Sequence, residues 1–310
     1  MNSTRLRADL YLLITAIIWG FAFVSQRIGM DHMGPYSFNA VRFLFASLSL
    51  VPVIWLFRNT KMEREHKNDS KKNLIIAGLI CGLFLFIGSS LQQIGIQYTT
   101  AGKAAFITGL YMVFVPILGM LFLKEKTAFF TWIGAAIALA GLSLLSLQND
   151  FAVNKGDIFE FIGALFWAGH VLTVYKLGRK YSPLKLSLVQ ITVCSLLSFI
   201  VAFSTEIIRI VDIIATLGPL LFAGIASVGI AYTLQMIGQR SAPPAHAAVI
   251  LSLEIVFAAI GGWMFLNEVL TQKEFIGCML MLAGMLLSQS ELFKRKAAKK
   301  SVTESLSSSV

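Results

Sequence analysis

The sequence contains little charge. Asp, Glu, Lys and Arg make up only 14% of its 310 residues, while 56% are hydrophobic and the mean hydropathy is +0.75. A soluble domain has about 25% charged and about 45–50% apolar residues. Because a soluble globule of this length cannot bury so much apolar surface, the composition excludes a cytosolic enzyme. The dominance of long apolar runs also excludes a disordered or fibrous protein.

Cysteine is scarce as well. Cys81, Cys194 and Cys278 each lie inside an apolar run, and the sequence has no Cys-x-x-Cys pair and no Cys/His cluster. This pattern predicts neither a disulfide framework nor a metal site. The sequence also lacks a Walker phosphate-binding motif, so ATP is not expected to drive the protein directly. We therefore expect neither a metal nor a cofactor.

The formal net charge is +10, from 26 Lys and Arg against 16 Asp and Glu. A nucleic-acid-binding protein would gather its basic residues on one face. Here the basic residues lie in short connections between apolar runs, which is where membrane topology places them. The charge pattern therefore predicts a membrane protein without a nucleic-acid partner.

Ten apolar segments are long enough to be membrane spans, since a helix needs about 20 mostly apolar residues to cross a bilayer. The longest polar connection runs from Arg58 to Asn73. The sequence thus predicts an all-α integral membrane protein with ten transmembrane helices. The predicted spans are 9–29, 36–57, 73–96, 101–123, 127–148, 156–176, 184–204, 215–238, 243–266 and 271–290.

Lys and Arg are distributed unevenly over the two sides that these spans define. With a cytoplasmic N terminus, twenty lie in the inner connections and tails, five lie on the outer side, and Arg42 lies within a span. The positive-inside rule therefore predicts that both termini are cytoplasmic. The basic stretch Lys294–Lys300, in the C-terminal tail 291–310, could bind anionic lipid headgroups or could simply fix this orientation.

The chain also repeats itself. At an offset of 148, Asp9, Ala16, Trp19, Pro35 and Ser47 match Asp157, Ala164, Trp167, Pro183 and Ser195, respectively. At an offset of 143, residues 91–125 align without a gap to 234–268, with fifteen of 35 positions identical. We predict one repeat over 1–148 and a second over 149–290. Because each repeat has five predicted spans, an odd number, the second must enter the membrane inverted, and inverted repeats around a central site are typical of secondary transporters.

Several motifs resemble those of a known family. They are Ala16-Ile-Ile-Trp19-Gly20, Arg42-Phe-Leu-Phe-Ala46, Gly102-Lys103-Ala-Ala-Phe-Ile107, Leu253-Glu254, and the helix ends Leu123-Lys124-Glu125 and Leu266-Asn267-Glu268. The pattern resembles the EamA-type branch of the drug/metabolite transporter superfamily over about 9–290. The resemblance implies an exporter or exchanger of amino acids or other small metabolites, in the bacterial plasma membrane, with a central cavity lined by both halves.

Two charged residues inside predicted spans are candidates for the translocation path. A charge at the bilayer centre costs about 2.5–3.5 kcal/mol on insertion scales, so it indicates a function by default. Glu254, near the middle of the ninth segment, could bind and release a proton, or could join helices through hydrogen bonds. Arg42 could bind a carboxylate or phosphate of the substrate, pair with Glu254, or reach the outer interface.

Equivalent repeat positions add further candidates. Lys103 and His246 match each other, and eight residues later, about 12 Å along a helix, so do Tyr111 and Glu254. We expect these pairs to line a path at two depths, unless Lys103 is an interfacial anchor and His246 only begins a helix. The remaining candidates are polar or aromatic residues within spans, which could line a cavity or could merely pack: Gln92, Gln93, Trp19 and Trp167.

Taken together, these features predict a secondary active transporter that exports or exchanges a small organic solute. The sequence alternatives are an integral membrane enzyme and a non-transporting membrane scaffold. An enzyme would need clustered carboxylates, a His pair or a nucleophile, but the four histidines are scattered along the chain. A scaffold would tolerate neutralisation of its mid-span charges. No pattern in the sequence specifies an oligomeric state.

Overall fold

The computed structural model describes residues 3–60, 70–99, 101–124, 127, 129–146, 155–266 and, with gaps, 272–287. Those residues form helices and turns, without a β-strand among them. Cys278 and the basic stretch Lys294–Lys300 lie outside the described residues. The helices are α1 Ser3–Gly29, α2 Pro35–Phe57, α3 Lys71–Gly95, α4 Ala101–Gly109, α5 Tyr111–Leu123, α6 Phe129–Ser146, α7 Lys155–Leu177, α8 Pro183–Thr205, α9 Ile210–Ala215, α10 Leu217–Leu221, the π-helical segment Phe222–Ala231, α11 Tyr232–Gln239, α12 Pro244–Leu251 and α13 Glu254–Phe265.

Eight helical stretches within the described residues are long and apolar enough to cross a membrane. Three of them combine shorter elements: Ala104–Leu123, Leu217–Gln239 and Pro244–Phe265. Shorter apolar helices at Phe129–Gly141 and Phe275–Gly284 coincide with the fifth and tenth predicted segments. The all-helical membrane fold is therefore confirmed, whereas the count of ten crossings stays a prediction.

The surface of the bundle is apolar, and its largely apolar interior also holds a substantial number of polar side chains. Large apolar side chains such as Leu56, Phe122 and Phe203 are exposed, while glutamines, serines and several ionisable side chains are buried. Lipid solvates apolar side chains as well as a protein core does. This distribution therefore places polar chemistry inside the bundle.

Small residues allow α3 to pack closely against α8. A Cβ atom at Gly78 would collide with the side chain of Val189, and one at Gly82 would lie 2.8 Å from Cβ of Val193. This spacing of four residues puts both glycines on one face of α3. The close backbone approach is the arrangement that small residues at such spacing provide in membrane helix pairs.

The beginning of α2 is held by a carboxylate from the other half of the chain. Glu206, directly after α8, accepts hydrogen bonds from the backbone N–H groups of Tyr36 at 3.0 Å and Ser37 at 2.7 Å, and from the Ser37 hydroxyl at 2.6 Å. A helix N-terminus leaves such N–H groups without intrahelical partners and favours negative charge. Glu206 therefore ties the end of α8 to the start of α2.

Two spans are interrupted at equivalent positions of the repeat. Between α4 and α5, the Leu110 N–H bonds to the Ile107 carbonyl at 3.1 Å, and between α12 and α13 the Leu253 N–H bonds to the Ile250 carbonyl at 3.2 Å. These i→i−3 bonds tighten the helix for one turn, as in a 3₁₀-helix. Leu110 and Leu253 are separated by the repeat offset of 143. Tyr111 directly follows the first interruption and Glu254 directly follows the second, so the two candidates occupy equivalent positions.

Candidate functional site

A cavity lies inside the bundle and is lined by residues from both halves of the chain. Its lining comes from α1, α2, α3, α4, α5, α7, the π-helical segment, α11 and α13. The lining residues are Trp19, Ala22, Phe23, Gln26, Arg42, Gln92, Thr108, Tyr111, Trp167, Val171, Ser227, Val228, Tyr232, Gln235 and Glu254. Apolar and aromatic side chains with a few polar groups among them are the usual lining of sites that bind small molecules.

The lining follows the internal repeat. Four pairs of lining residues occupy equivalent positions of the repeat, so each half contributes residues from the same structural elements to the cavity. Two pairs are identical and two differ in chemistry. The pairs are Trp19 with Trp167, Gln92 with Gln235, Phe23 with Val171, and Tyr111 with Glu254.

Aromatic rings form one wall of the cavity. Tyr232 lies between the repeat-related tryptophans, with its ring centroid 4.8 Å from that of Trp19 and 6.2 Å from that of Trp167. The Trp167 and Tyr232 rings are stacked, with an interplanar angle of 16°. The Trp19 indole N–H donates to the carbonyl of Ser227, at 3.1 Å, in the π-helical segment. The Trp19 ring is tilted by 56° relative to that of Tyr232, so the wall is an apolar aromatic surface that is flat only across Trp167 and Tyr232.

The cavity also carries two opposite charges that do not neutralise each other. Arg42 and Glu254 are each 4% exposed, and within the described residues neither forms an ion pair. The guanidinium of Arg42 lies over the rings of Phe38 and Phe43, at 5.6 and 5.1 Å from their centroids. Cation–π contacts of this kind offset only part of the cost of burying a charge.

Tyr111 and Glu254 meet where the two interrupted spans face each other. The phenol interacts electrostatically with the carboxyl group, but the Tyr111 hydroxyl makes no hydrogen bond of acceptable distance and angle. The Tyr111 phenol is therefore a weak partner for the carboxyl group of Glu254. A bound cation or a proton would supply the stronger one.

Several polar atoms of the lining have no partner. Buried polar atoms in proteins nearly always have hydrogen-bond partners, so each exception requires an explanation. For five lining residues, the described part of the chain supplies no partner to the following buried atoms: Gln26 Oε1, Arg42 Nε, Tyr111 Oη, Trp167 Nε1, and both Oε1 and Nε2 of Gln235. A polar solute or water in the cavity could bind these atoms.

Six of the nine residues that the sequence singled out line this cavity: Glu254, Arg42, Tyr111, Gln92, Trp19 and Trp167. Gln93 instead donates from Nε2 to the carbonyl of Gln26, at 3.3 Å, and joins α3 to α1. His246 is buried away from the cavity, with Nε2 3.0 Å from Oδ1 of Asp9. The backbone of Lys103 belongs to α4, and its side chain lies outside the described residues.

His246→Phe is expected to lower the free energy of unfolding by about 1–3 kcal/mol. The substitution preserves the ring but leaves Asp9 without its partner on α12, and an orphaned polar group carries a cost of this size. Thermal unfolding in detergent measures the change. The matched control is His32→Phe, because His32 is exposed in the turn after α1. Equal stability of the two variants would contradict a structural role for the Asp9–His246 contact.

Sequence reasoning missed several lining residues, among them Gln26, Thr108, Tyr232 and Gln235. A signal for Gln235 was available, because it is the repeat partner of Gln92. No sequence signal pointed to Tyr232, because its equivalent position in the first repeat holds Ser89 and a tyrosine in an apolar run resembles a packing residue. The long π-helical segment before Tyr232 could not be predicted from amino-acid composition either.

Among the described residues, no three His, Cys, Asp or Glu side chains come close enough to hold a metal ion.

Comparison with known proteins places these features in context. The sequence model of the EamA-like transporter family matches residues 6–147 and again 154–289. An uncharacterized transporter of Archaeoglobus fulgidus is 32% identical over 285 residues, covering 91% of this chain and 86% of its own. The uncharacterized transporter YoaV of Bacillus subtilis is 22% identical over 92% of this chain and 97% of its own.

One further relative matches about half of the sequence, and one solved structure matches the fold. The uncharacterized inner membrane transporter YedA of Escherichia coli is 32% identical over 154 residues, 49% of this chain and 48% of its own. A protein of known crystal structure superposes with a TM-score of 0.72 and 15% identity, covering 94% of this chain and 99% of that one, and supports the fold alone. Eight membrane-compatible helices and a family model that matches both halves identify the chain as a multi-pass membrane protein that belongs to the EamA-like transporter family.

Proposed function

We propose that the protein is a secondary active transporter that exports or exchanges a small organic solute by alternating access. The solute is an amino acid, a related metabolite or an organic drug of similar size, and its binding site is the cavity between the two halves. The observation that carries this proposal is one cavity lined by repeat-related residues from both halves, including the buried side chains of Arg42 and Glu254, which form no ion pair among the described residues. Five of its lining residues also have buried polar atoms for which the described residues supply no hydrogen-bond partner.

The chemistry of the lining favours a solute with an acidic group and an apolar, flat body. The guanidinium of Arg42 matches the two oxygen atoms of a carboxylate. The wall of Trp19, Tyr232 and Trp167 matches a ring or an apolar chain. Glu254 would hold an ammonium group of the solute, or a proton when the solute lacks one. A zwitterion would thereby satisfy both isolated charges at once.

The construction of the cavity supports the proposal of alternating access. The interrupted spans α4–α5 and α12–α13 face each other across it, and transporters commonly bind their substrates where membrane helices are discontinuous. A tightened turn holds the helix by fewer regular hydrogen bonds, so it is a natural place for each span to bend. Inverted halves that bend in turn would open the cavity to one side and then to the other.

We also propose the orientation that the basic residues predict, with both termini in the cytoplasm and the chain in the plasma, or inner, membrane. The repeat boundaries at 1–148 and 149–290 belong to this proposal, as does the basic tail 291–310 as a segment that meets anionic headgroups. The inner membrane location named for the Escherichia coli relative supports it.

Thermal stabilisation of the purified protein by a panel of amino acids, nucleosides, sugars and cationic drugs tests the proposal. A ligand that binds only the native state stabilises it by about 2.7 kcal/mol at 100 times its dissociation constant. We expect one class of solute to stabilise the wild type. Glu254→Gln, which removes the cavity's acidic charge and keeps its shape, should lose most of that stabilisation for solutes with an amino group.

Asp31→Asn is the matched control, because it neutralises an acidic side chain that is exposed on the surface and paired only with Arg27. If the stabilising class acts equally on the wild type and on both variants, the cavity is not the binding site. A scaffold predicts that no solute stabilises the wild type at all. Solute uptake into vesicles containing the protein then distinguishes transport from binding.

A further inference from the structure

A second buried carboxyl group lies directly behind the cavity. Glu160, on α7, is fully buried. Its Oε2 accepts a hydrogen bond from the Thr108 hydroxyl at 2.8 Å, and that hydroxyl in turn accepts one from Nε2 of Gln92 at 3.2 Å. Thr108 and Gln92 both line the cavity. The carboxyl group is therefore one hydroxyl away from the place where the solute would bind.

Only one of the two carboxyl oxygen atoms of Glu160 accepts a hydrogen bond from the described residues. Among the described residues, Oε1 has no hydrogen-bond partner, and no cation pairs with the carboxyl group. A Cβ atom at Gly95 would lie 2.6 Å from Oε1, so α3 presents bare backbone to the group. An ionised carboxylate that is held by a single donor in a membrane interior is costly. A proton on the unused oxygen would remove that cost.

The titratable neighbours of Glu160 are few. On α7 itself, Asp157 lies one turn earlier and interacts with it electrostatically. The facing elements contribute Gln92 and Gly95 from α3 and Thr108 from α4, which do not titrate. Lys103 precedes Thr108 on α4 by five residues, and its side chain lies outside the described residues.

We propose that Glu160 binds and releases a proton during the transport cycle and exchanges it with the cavity through Thr108. On loading, the Thr108 hydroxyl passes its proton to Glu160 while its oxygen takes one from a hydronium ion in the cavity, which becomes water. Release reverses both transfers and returns the proton to a water molecule as hydronium. The inference rests on the proposed transport function and adds a proton site separate from Glu254.

Infrared spectroscopy of the protein in lipid tests proton binding without any solute. A protonated carboxyl group has its own C=O stretching band, and we expect the wild type to gain and lose such a band between mildly acidic and mildly alkaline pH. Glu160→Gln should lack that component, while Glu254→Gln should keep it. Glu206→Gln is the control outside the cavity. An unchanged band in Glu160→Gln would overturn the proposal.

If circular dichroism shows that Glu160→Gln does not fold, Thr108→Val provides a second test of the proposal. It removes the hydroxyl and nearly preserves the shape, so we expect the carboxyl band to shift and proton exchange to slow. An unshifted band with unchanged exchange means that Thr108 does not connect Glu160 to the cavity, and the proposed route is wrong.

Vesicles that hold a pH-sensitive dye and are challenged with a mixture of the proteinogenic amino acids test the role in transport. We expect solute-dependent proton movement in the wild type and its loss in Glu160→Gln. Full proton movement in Glu160→Gln would overturn the coupling role. An absence of movement in the wild type would count against proton-coupled amino-acid transport itself, while the infrared bands still decide whether Glu160 binds a proton.

Discussion

Arg42→Met is expected to make the empty protein more stable and to weaken its binding of carboxylate solutes. The guanidinium is buried without an ion-pair partner among the described residues, and replacing such a charge with an apolar side chain of similar length removes a desolvation cost. A carboxylate solute, in contrast, loses a charge-assisted hydrogen bond of about 1.5–3 kcal/mol, or roughly 10- to 150-fold in affinity. The two changes have opposite signs.

Thermal unfolding with and without a stabilising solute measures both quantities in one experiment. Arg42→Lys should restore part of the affinity, because an ammonium keeps the charge but not the two-pronged geometry. A decarboxylated analogue of the solute should bind the wild type and Arg42→Met alike. Arg209→Ala is the control, since Arg209 is 72% exposed and pairs only with Asp212.

A structural role for Arg42 predicts the reverse pattern. In Arg42→Met, the rings of Phe38 and Phe43 would lose the guanidinium that packs on them. Without solute, this variant would then unfold at a lower temperature than the wild type. Equal loss of affinity for the solute and for its decarboxylated analogue would likewise exclude carboxylate recognition.

Gly20→Ala is expected to destabilise the protein by about 1–3 kcal/mol or more, as overpacking does, and to abolish solute binding. A Cβ atom at Gly20 would collide with Cβ of Phe257 and would lie 2.6 Å from the carbonyl oxygen of Glu254 and 2.8 Å from the backbone nitrogen of Ala258. Backbone cannot rotate away as a side chain can. The methyl group must therefore separate α1 from α13 and displace Glu254 from Tyr111.

Gly102→Ala provides the matched control for this substitution. A Cβ atom at Gly102, also in a helix, would meet no atom within 4 Å. Alanine is favoured over glycine inside a helix by about 0.5–1 kcal/mol, so this variant should be slightly more stable than the wild type. Thermal unfolding and solute stabilisation measure both variants, and similar behaviour of the two would contradict the close approach at Gly20.

The sequence predicted those features that depend on local hydrophobicity and on the repeat. The segments 36–57 and 184–204 became α2 and α8 almost unchanged, because a membrane span is recognisable from its own composition. Repeat matching brought Trp19, Trp167, Tyr111 and Glu254 into one cavity, since equivalent positions in inverted halves approach the same axis.

Features that depend on contacts between distant segments were beyond such reasoning. Glu160 stands near the start of α7, where a carboxyl group would ordinarily reach water. Only the packing of α3 and α4 against α7 encloses it. Gln92 and Gln93 are adjacent in sequence, yet helical geometry turns one toward the cavity and the other toward Gln26. The periodicity of the sequence alone does not reveal which side of α3 faces the cavity.

The incomplete symmetry of the cavity affects the relative free energies of the forms that are open to either side of the membrane. For a chain with two identical inverted halves, the forms open to either side would have equal free energy and equal populations. Trp19 and Trp167 are identical, and so are Gln92 and Gln235, and to a first approximation such pairs cancel from the difference. The unlike pairs, Tyr111 with Glu254 and Phe23 with Val171, do not cancel. These few substitutions between halves would then set the direction in which the empty transporter faces.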